Sequence, residues 1–334
     1  MLPPTLTSPP PTLTYTQAST LALQHFGVTG TLHRLTSERD LNIRITTPTA
    51  RYVLKLANPA EPSTLTDLQT QALLHLAATN LPIPRVIRTV TGQTAAITSH
   101  GTLRLLTYLD GTPQHTTPKT PTQSRNLAQM AARLTLGLQG FAHPAAHHRL
   151  QWDIKHASQL RPLLPAIADP DLRELATETL TQFDTEIAPG LAGLRSQVVH
   201  NDLNPHNVLT DPANPDTITG ILDFGDMVHT PLICDMAIAA SYVLDPAAPL
   251  QSLITFAAAY HAILPLTATE LHLLPDLIAT RMLTTLAITS ARAAAFPDNT
   301  RYILRNFASA RNGLCALAAL DRTTVQAALL SELP

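Results

Sequence analysis

Apolar residues at Leu41, Ile43 and Ile45 alternate with Asn42 and Arg44, and this period of two predicts a strand with one buried face. A second run, Arg51 to Leu56, follows the turn-prone Thr46-Thr47-Pro48-Thr49-Ala50, so the two together predict a hairpin. The period then lengthens. Leu65, Leu68, Ala72, Leu73 and Leu76 recur every three or four positions, which predicts a helix from Leu65 to Ala78, with Ser63 as its cap and Asn80 and Pro82 as its stop. Thr102 to Leu109 is strand-like again and ends at Asp110-Gly111-Thr112-Pro113, a turn. From Gln123 onward helical spacing dominates, as in Asn126 to Leu138. Only short strand-like runs, Gln197 to Val199 and Thr217 to Leu222, interrupt it. The pattern predicts an α+β chain in which a small antiparallel sheet precedes a larger, mainly helical part.

Each of the two late strands delivers a polar motif. The first runs into His200-Asn201-Asp202-Leu203-Asn204-Pro205-His206-Asn207 and the second into Asp223-Phe224-Gly225-Asp226. Phosphoryl transfer needs a carboxylate to orient the attacking hydroxyl and take its proton, and an amide and a second carboxylate to hold Mg²⁺ on the nucleotide phosphates. The kinase pattern H-R-D-L-x-x-x-N followed by D-F-G is matched at every fixed position but the Arg, where Asn201 stands. That Arg serves regulation by a phosphorylated activation loop, and no A-P-E segment follows either, so a small-molecule kinase fits better than a protein kinase. Asp202 is the expected base, and Asn207 and Asp223 the expected magnesium ligands. Asp226 is a candidate second metal or substrate contact, His200 a packed scaffold residue, and Asp235 a helix-start carboxylate bonded back to the loop.

The only lysines are Lys55, Lys119 and Lys155, and only Lys55 lies in a strand-like run with apolar neighbours. With the loop downstream, Lys55 is expected on the nucleotide phosphates. Gly27 and Gly30 are too sparse for a GxGxxG loop. The stretch Ser37-Glu38-Arg39-Asp40 is expected to cover the phosphates through its backbone N–H groups, with Ser37, Arg39 and Asn42 in the nucleotide site. The backbone of Thr107, Tyr108 and Leu109 is the expected hinge to the base. In protein kinases the following helix carries a Glu that pairs with the strand Lys. Here Asp67 and Gln69 are nearest to that place, and whether either pairs with Lys55 is open.

Composition narrows the class. The chain has 334 residues, 45% of them hydrophobic, enough for two lobes around buried cores. Charged residues are 14% and the net charge is -2, against about 25% charged in an average domain, so no basic field favours nucleic acid. Cys234 and Cys315 suggest reduced thiols. The opening MLPPTLTSPPPTLTYT lacks a secretory pattern and predicts a flexible leader over 1–15, in a cytoplasmic protein. The apolar runs Met236 to Leu244 and Ile254 to Leu266 are short of the roughly 18 continuous residues of a membrane helix. His143, His147 and His148 cluster, but Pro144 breaks the helix that an i, i+4 zinc pair prefers, and a solvated loop is the better reading.

With these residues in place the chain resembles the aminoglycoside phosphotransferase and choline kinase superfamily, most closely its hydroxylysine kinase branch. The resemblance runs from about Leu35 to near the C-terminus. It rests on LTSERDLNIRI, RYVLKL, DLQTQALLHL, RLLTYLDG, GFAHPAAHHRLQWDIKHA, VVHNDLNPHNVL, ITGILDFGDMVHTPLICDMAIA and YHAILPLTATELHLLPDLIATRM. It implies a two-lobed protein-kinase-like fold, with an N-terminal nucleotide-binding lobe over 16–109 and a C-terminal lobe over 110–334. It also implies Asp202 as base, Asn207 and Asp223 on Mg²⁺, Lys55 on the phosphates, and Thr107 to Leu109 as hinge. Many aminoglycoside kinases carry Glu where Gln69 falls, whereas the hydroxylysine branch is similar to this chain in having Gln. Hydroxylysine kinases use GTP, so the expected donor is ATP or GTP. The expected acceptor is a small hydroxylated amine or amino acid, in a pocket to which Trp152, Asp153, Asp226 and Arg281 contribute. The rival readings are an antibiotic, homoserine or choline kinase, and a pseudokinase that only binds nucleotide.

Overall fold

The computed structural model describes residues 8–37 and 39–333 and divides into two compact units. The first is formed by the chain up to Asp110 together with His143–Ala146 and Thr219–Gly225, and the second by the remainder. Residues 1–7 of the expected leader lie outside the described residues. Its end is not loose: Leu13 packs on the core, Thr14 closes a capping box with Gln17, and Tyr15 opens helix α1 (Tyr15–Phe26). The helix stops at Gly27, whose φ of 67° suits a residue without Cβ.

The first unit is an antiparallel sheet. Strands β1 (Thr31–Leu35), β2 (Leu41–Thr46) and β3 (Arg51–Leu56) lead to helix α2 (Ser63–His75), then β4 (Val86–Ile87), β5 (Ala96–Thr98) and β6 (Gly101–Thr107). The order is β1-β2-β3-β6-β4, with β5 also on β6. Leu41, Ile43 and Ile45 are buried with Ala18, Ala22 and Phe26 of α1 and with Leu54, Leu56, Leu103 and Leu105. Each such side chain contributes about 1.5–3 kcal/mol, more than the roughly 1 kcal/mol span of strand propensity. Burial therefore sets the register, because a one-residue slip would turn all three residues of β2 to solvent.

Three boundaries differ from the sequence pattern. Ser63 is the first residue of α2 rather than its cap, and Pro62 before it makes no side-chain bond. Strand β6 ends at Thr107, where its ladder with Tyr52 ends, so Tyr108 and Leu109 are outside it. Helix α3 (Pro121–Gly137) starts earlier than Asn126, because Thr120 caps it through the Gln123 N–H at 3.0 Å and Pro121 needs no helical partner for a missing N–H.

In the second unit β7 (Thr112–Pro113) precedes α3, and α4 (Pro170–Gln182) passes through a π turn at Phe183–Ile187 into α5 (Ala188–Leu191). Strands β8 (Ser196–Val199) and β9 (Val208–Thr210) bracket the first polar motif, while β10 (Ile218–Ile221), which leads to the second motif, belongs to the first unit from Thr219 on. Beyond them come β11 (Val228–Pro231), α6 (Leu232–Val243), α7 (Pro249–His261), α8 (Ala268–Ala295), α9 (Thr300–Ile303), α10 (Phe307–Ala318) and α11 (Arg322–Glu332). β8 pairs with β11 and β9 with β7. α8 is the central helix, packed by α6, α10 and α11. It is long and apolar enough to cross a membrane, but its apolar stretch is mostly buried inside the protein.

Candidate active site

In the second unit, β8 carries the chain to His200, which is fully buried. Asn201 then adopts φ 65°, a left-handed conformation that Asn tolerates and a long branched side chain resists. The Asn201 N–H donates to Asp235 Oδ1 at 2.6 Å. Asp235 lies in the first turn of α6 and ties back to the loop as expected, though the N-cap itself is Pro231. Burial pushes the Asp235 carboxyl up to about 6, against the Asn201 N–H and the Arg281 charge that favour its ionised form. Asn201 thus suits the left-handed backbone it occupies.

Asp202 is held on both oxygens. Oδ2 accepts from Asn207 Nδ2 at 2.7 Å and Asn204 Nδ2 at 2.9 Å, and Oδ1 lies 3.3 Å from Arg281 Nη2. Asn207 Nδ2 also reaches the Asp202 carbonyl at 3.1 Å, so the amide oxygen is turned away from Asp202. Arg281 comes from α8 and donates to the Trp152 carbonyl and the Tyr242 hydroxyl, both at 3.1 Å. Its guanidinium lies 5.1 Å from the Trp152 ring centre and 5.7 Å from that of Tyr242. Arg281 and Trp152, named for the acceptor pocket, are thereby brought together beside Asp202. Asp226 is buried and acts on Arg281 as a further negative charge.

Asp153 is placed differently. Its side chain is fully buried, caps the helical segment Ile154–Ala166 through the Lys155 N–H at 3.2 Å, and accepts from Thr230 Oγ1 at 2.9 Å. These bonds make it a scaffold residue in place of an acceptor contact. The expected solvated loop of histidines is likewise tied down: His143 Nε2 meets Asp67 at 3.1 Å within the first unit, and the His147 and His229 rings lie 4.6 Å apart in the second.

In the first unit, Lys55 stands on β3 opposite Asn42 of β2 and Arg104 of β6. Its Nζ is 3.3 Å from Asp40 Oδ2 and 3.9 Å from Asp223 Oδ1. Neither residue first considered is its partner. Asp67 bonds Gln71 and His143, while Gln69 accepts from Arg104 Nη2 at 2.8 Å and donates to Glu61 Oε1 at 2.9 Å. Burial, and then Asp40, raise the Glu61 carboxyl above its usual range. Asp40, expected in the phosphate-covering turn, is not signalled by sequence as the partner of Lys55, because it lies fifteen residues ahead by numbering with no periodic pattern linking the two.

Asp223 has φ 57° and accepts the Gly225 N–H at 3.1 Å on Oδ1. The strand before it is anchored by the Ile221 N–H to the Pro82 carbonyl at 2.8 Å. A Cβ on Gly225 would stand 2.9 Å from Asp223 Oδ1 and 3.2 Å from Arg39 Nη2, so a side chain here would displace the Asp223 carboxylate. Ser37 and Arg39 lie between β1 and β2, with Glu38 outside the described residues. In the expected hinge, the Thr107 N–H is bonded to the Arg85 carbonyl at 2.9 Å and the Tyr108 N–H to the Arg51 carbonyl at 3.0 Å. Those two N–H groups are therefore engaged within the first unit and not available to a base.

Comparison with known proteins decides the family. Residues 31–274 match the model of the phosphotransferase enzyme family. The chain belongs to that family. It is a small-molecule kinase, a phosphotransferase with an alcohol group as acceptor. It is similar to hydroxylysine kinase of Mus musculus, 28% identical over 324 residues that cover 88% of this chain and 86% of the relative. Homoserine kinase of Methylobacillus flagellatus is 27% identical over 235 residues, covering 69% of this chain and 70% of the relative. Among solved structures, the amicoumacin kinase hAmiN in complex with AMP-PNP, Ca2+ and Ami has a TM-score of 0.69 at 14% identity, covering 94% of this chain and 97% of that one. A microcompartment-associated aminopropanol kinase has a TM-score of 0.63 at 18% identity, covering 96% and 99%. The fold is the kinase-like α+β fold that the sequence predicted.

Proposed function

We propose that the protein transfers the γ-phosphoryl group of ATP or GTP to a hydroxyl of a small amino-group-bearing metabolite, with hydroxylysine or a related amino alcohol the first acceptor to test. The observation that carries this reading is the Asp202 carboxylate, held by two amides on one oxygen and by Arg281 near the other. So fixed, it orients a hydroxyl and takes its proton, a contribution of typically about 10²- to 10⁴-fold. Lys55 is assigned to the nucleotide phosphates, and Ser37, Arg39, Asn42 and Leu109 to the rest of the nucleotide.

Asn207 and Asp223 are assigned to Mg²⁺. The turned-out amide oxygen of Asn207 and the half-exposed carboxylate of Asp223 are hard oxygen donors of the kind that ion takes. When bound, Mg²⁺ neutralises charge on the transferring phosphate. The acceptor class is supported by two relatives, a hydroxylysine kinase and a homoserine kinase, whose named substrates are both hydroxylated amino acids. Two unpaired cysteines, Cys234 and Cys315, fit a reducing compartment such as the cytoplasm.

The test is a screen of hydroxylated amino acids and amino alcohols against ATP and GTP, repeated with Asp202→Asn. Turnover is expected on at least one amino-bearing acceptor and a loss of about 10²-fold or more in the variant. A variant as fast as wild type sinks the assignment of the base. Nucleotide binding without turnover on any acceptor supports the binding-only reading instead.

A further inference from the structure

We infer that Asp40 is the positioning residue for Lys55, in the part that a helix-borne carboxylate plays in protein kinases. The inference rests on the assignment of Lys55 to the nucleotide phosphates. Its starting point is Arg104, which stands beside Lys55 in the sheet and whose residue is 2% exposed. Arg104 reaches the Thr66 carbonyl and Thr70 Oγ1, both at 3.3 Å, and Gln69 Oε1 at 2.8 Å. All three acceptors are on α2. The helix side chain that would face the strand lysine is therefore spent on a second, deeper cation. A carboxylate at position 69 would face the same guanidinium, whose planar fork favours such a partner over an ammonium.

Asp40 fills the place left open. Its Oδ2 is 3.3 Å from Lys55 Nζ, and its Oδ1 accepts the Asn58 N–H at 3.0 Å. Asn58, itself buried, closes the turn by donating Nδ2 to the Arg39 carbonyl at 2.9 Å and to the Pro9 carbonyl at 3.1 Å. One oxygen of Asp40 is thus locked to the backbone while the other holds the ammonium. Asp223 is the weaker partner, at 3.9 Å with a side chain 48% exposed against 12% for Asp40, because water screens an exposed pair. The orientation of Lys55 is linked to the turn between β1 and β2, which also carries Ser37 and Arg39, and not to α2. Movement of a regulatory helix, which makes and breaks the lysine pair in protein kinases, has no counterpart in this arrangement.

A double-mutant cycle on the full chain tests this, with Mg²⁺·AMP-PNP and Mg²⁺·GMP-PNP as calorimetric probes and thermal unfolding as the control. Asp40→Asn keeps an acceptor for the Asn58 N–H and removes the charge. It is expected to weaken binding of the preferred analogue by about tenfold, the scale of one charged hydrogen bond. Lys55→Met is expected to weaken it by about tenfold or more, and the double variant to match Lys55→Met within about twofold, since both changes remove one interaction. Asp40→Glu should recover part of the binding. If Asp40→Asn does not fold, Asp40→Ser carries the same cycle. Wild-type binding by the Asp40 variant, or losses that multiply in the double variant, overturns the inference while leaving Lys55 in place. Wild-type binding by Lys55→Met removes the assignment of Lys55 itself, and the inference with it.

Discussion

Arg281 approaches Asp202 to 3.3 Å, with the Arg281 side chain 2% and the Asp202 side chain 20% exposed. The pair joins α8, the central helix of the second unit, to the loop that carries Asp202. The remaining guanidinium bonds go to the Trp152 carbonyl and the Tyr242 hydroxyl, so the cation cannot move without loosening both.

Arg281→Met removes this support while keeping much of the volume. Turnover should fall by about 100-fold, the scale of a misplaced catalytic group, with nucleotide affinity within about twofold of wild type. Stability should fall by about 2 kcal/mol, less than the 3–5 kcal/mol of a fully buried pair because Asp202 keeps some contact with water. Steady-state kinetics and urea unfolding check the two parts. Wild-type turnover in a folded variant would show that the pair is purely structural.

Asp235 makes stability depend on pH in an unusual direction. Its carboxyl is pushed from 3.8 up to about 6 by burial. The folded state therefore holds the proton more tightly, and the stability this confers is fully present below about pH 4 and lost as pH rises through about 6. Asp235→Asn keeps an acceptor for the Asn201 N–H without the charge. Its stability relative to wild type should rise between about pH 4 and 6, by at most about 3 kcal/mol. Urea midpoints of both proteins across this range measure the difference, and parallel curves would contradict it.

Gln69→Leu leaves Arg104 without its 2.8 Å side-chain acceptor and Glu61 without its 2.9 Å donor. A loss of about 2–3 kcal/mol is expected, since both stranded groups are charged or buried. Chemical denaturation of the purified variant reads it. A change below about 0.5 kcal/mol would mean that other groups take up both bonds.

Gly225→Ala places a Cβ 2.9 Å from Asp223 Oδ1 and 3.2 Å from Arg39 Nη2. The Asp223 side chain is half exposed and can move, so stability should change by less than about 1 kcal/mol. Turnover should drop by about tenfold or more as the carboxylate is displaced. Comparing thermal midpoints with kinetics separates the two effects, and unchanged kinetics would argue against a role for the Asp223 position.

The strands of the first unit were readable because burial on one face writes a period of two into β2, and the same alternation failed at β1, whose residues are mostly exposed. Helix α2 was readable from its spacing, but its start was not, because Pro62 rather than a polar side chain precedes it. The loop motif was readable because Asp202 and Asn207 are close in the chain, where they bond one another, whereas the Asn204 amide on Asp202 was not singled out by any pattern.

Local sequence therefore carried the identity of the chemistry: residue types at short spacing decide which groups stand together on one loop. It could not carry the supports of that chemistry. Arg281 and Asp202 are separated by 79 positions, and Asp40 meets Lys55 only because β2 and β3 fold back on each other and Asn58 pins the turn. Which carboxylate pairs with Lys55 was settled by competition within the fold. Arg104, the more deeply buried of the two cations, takes the helix acceptor, which its planar fork suits.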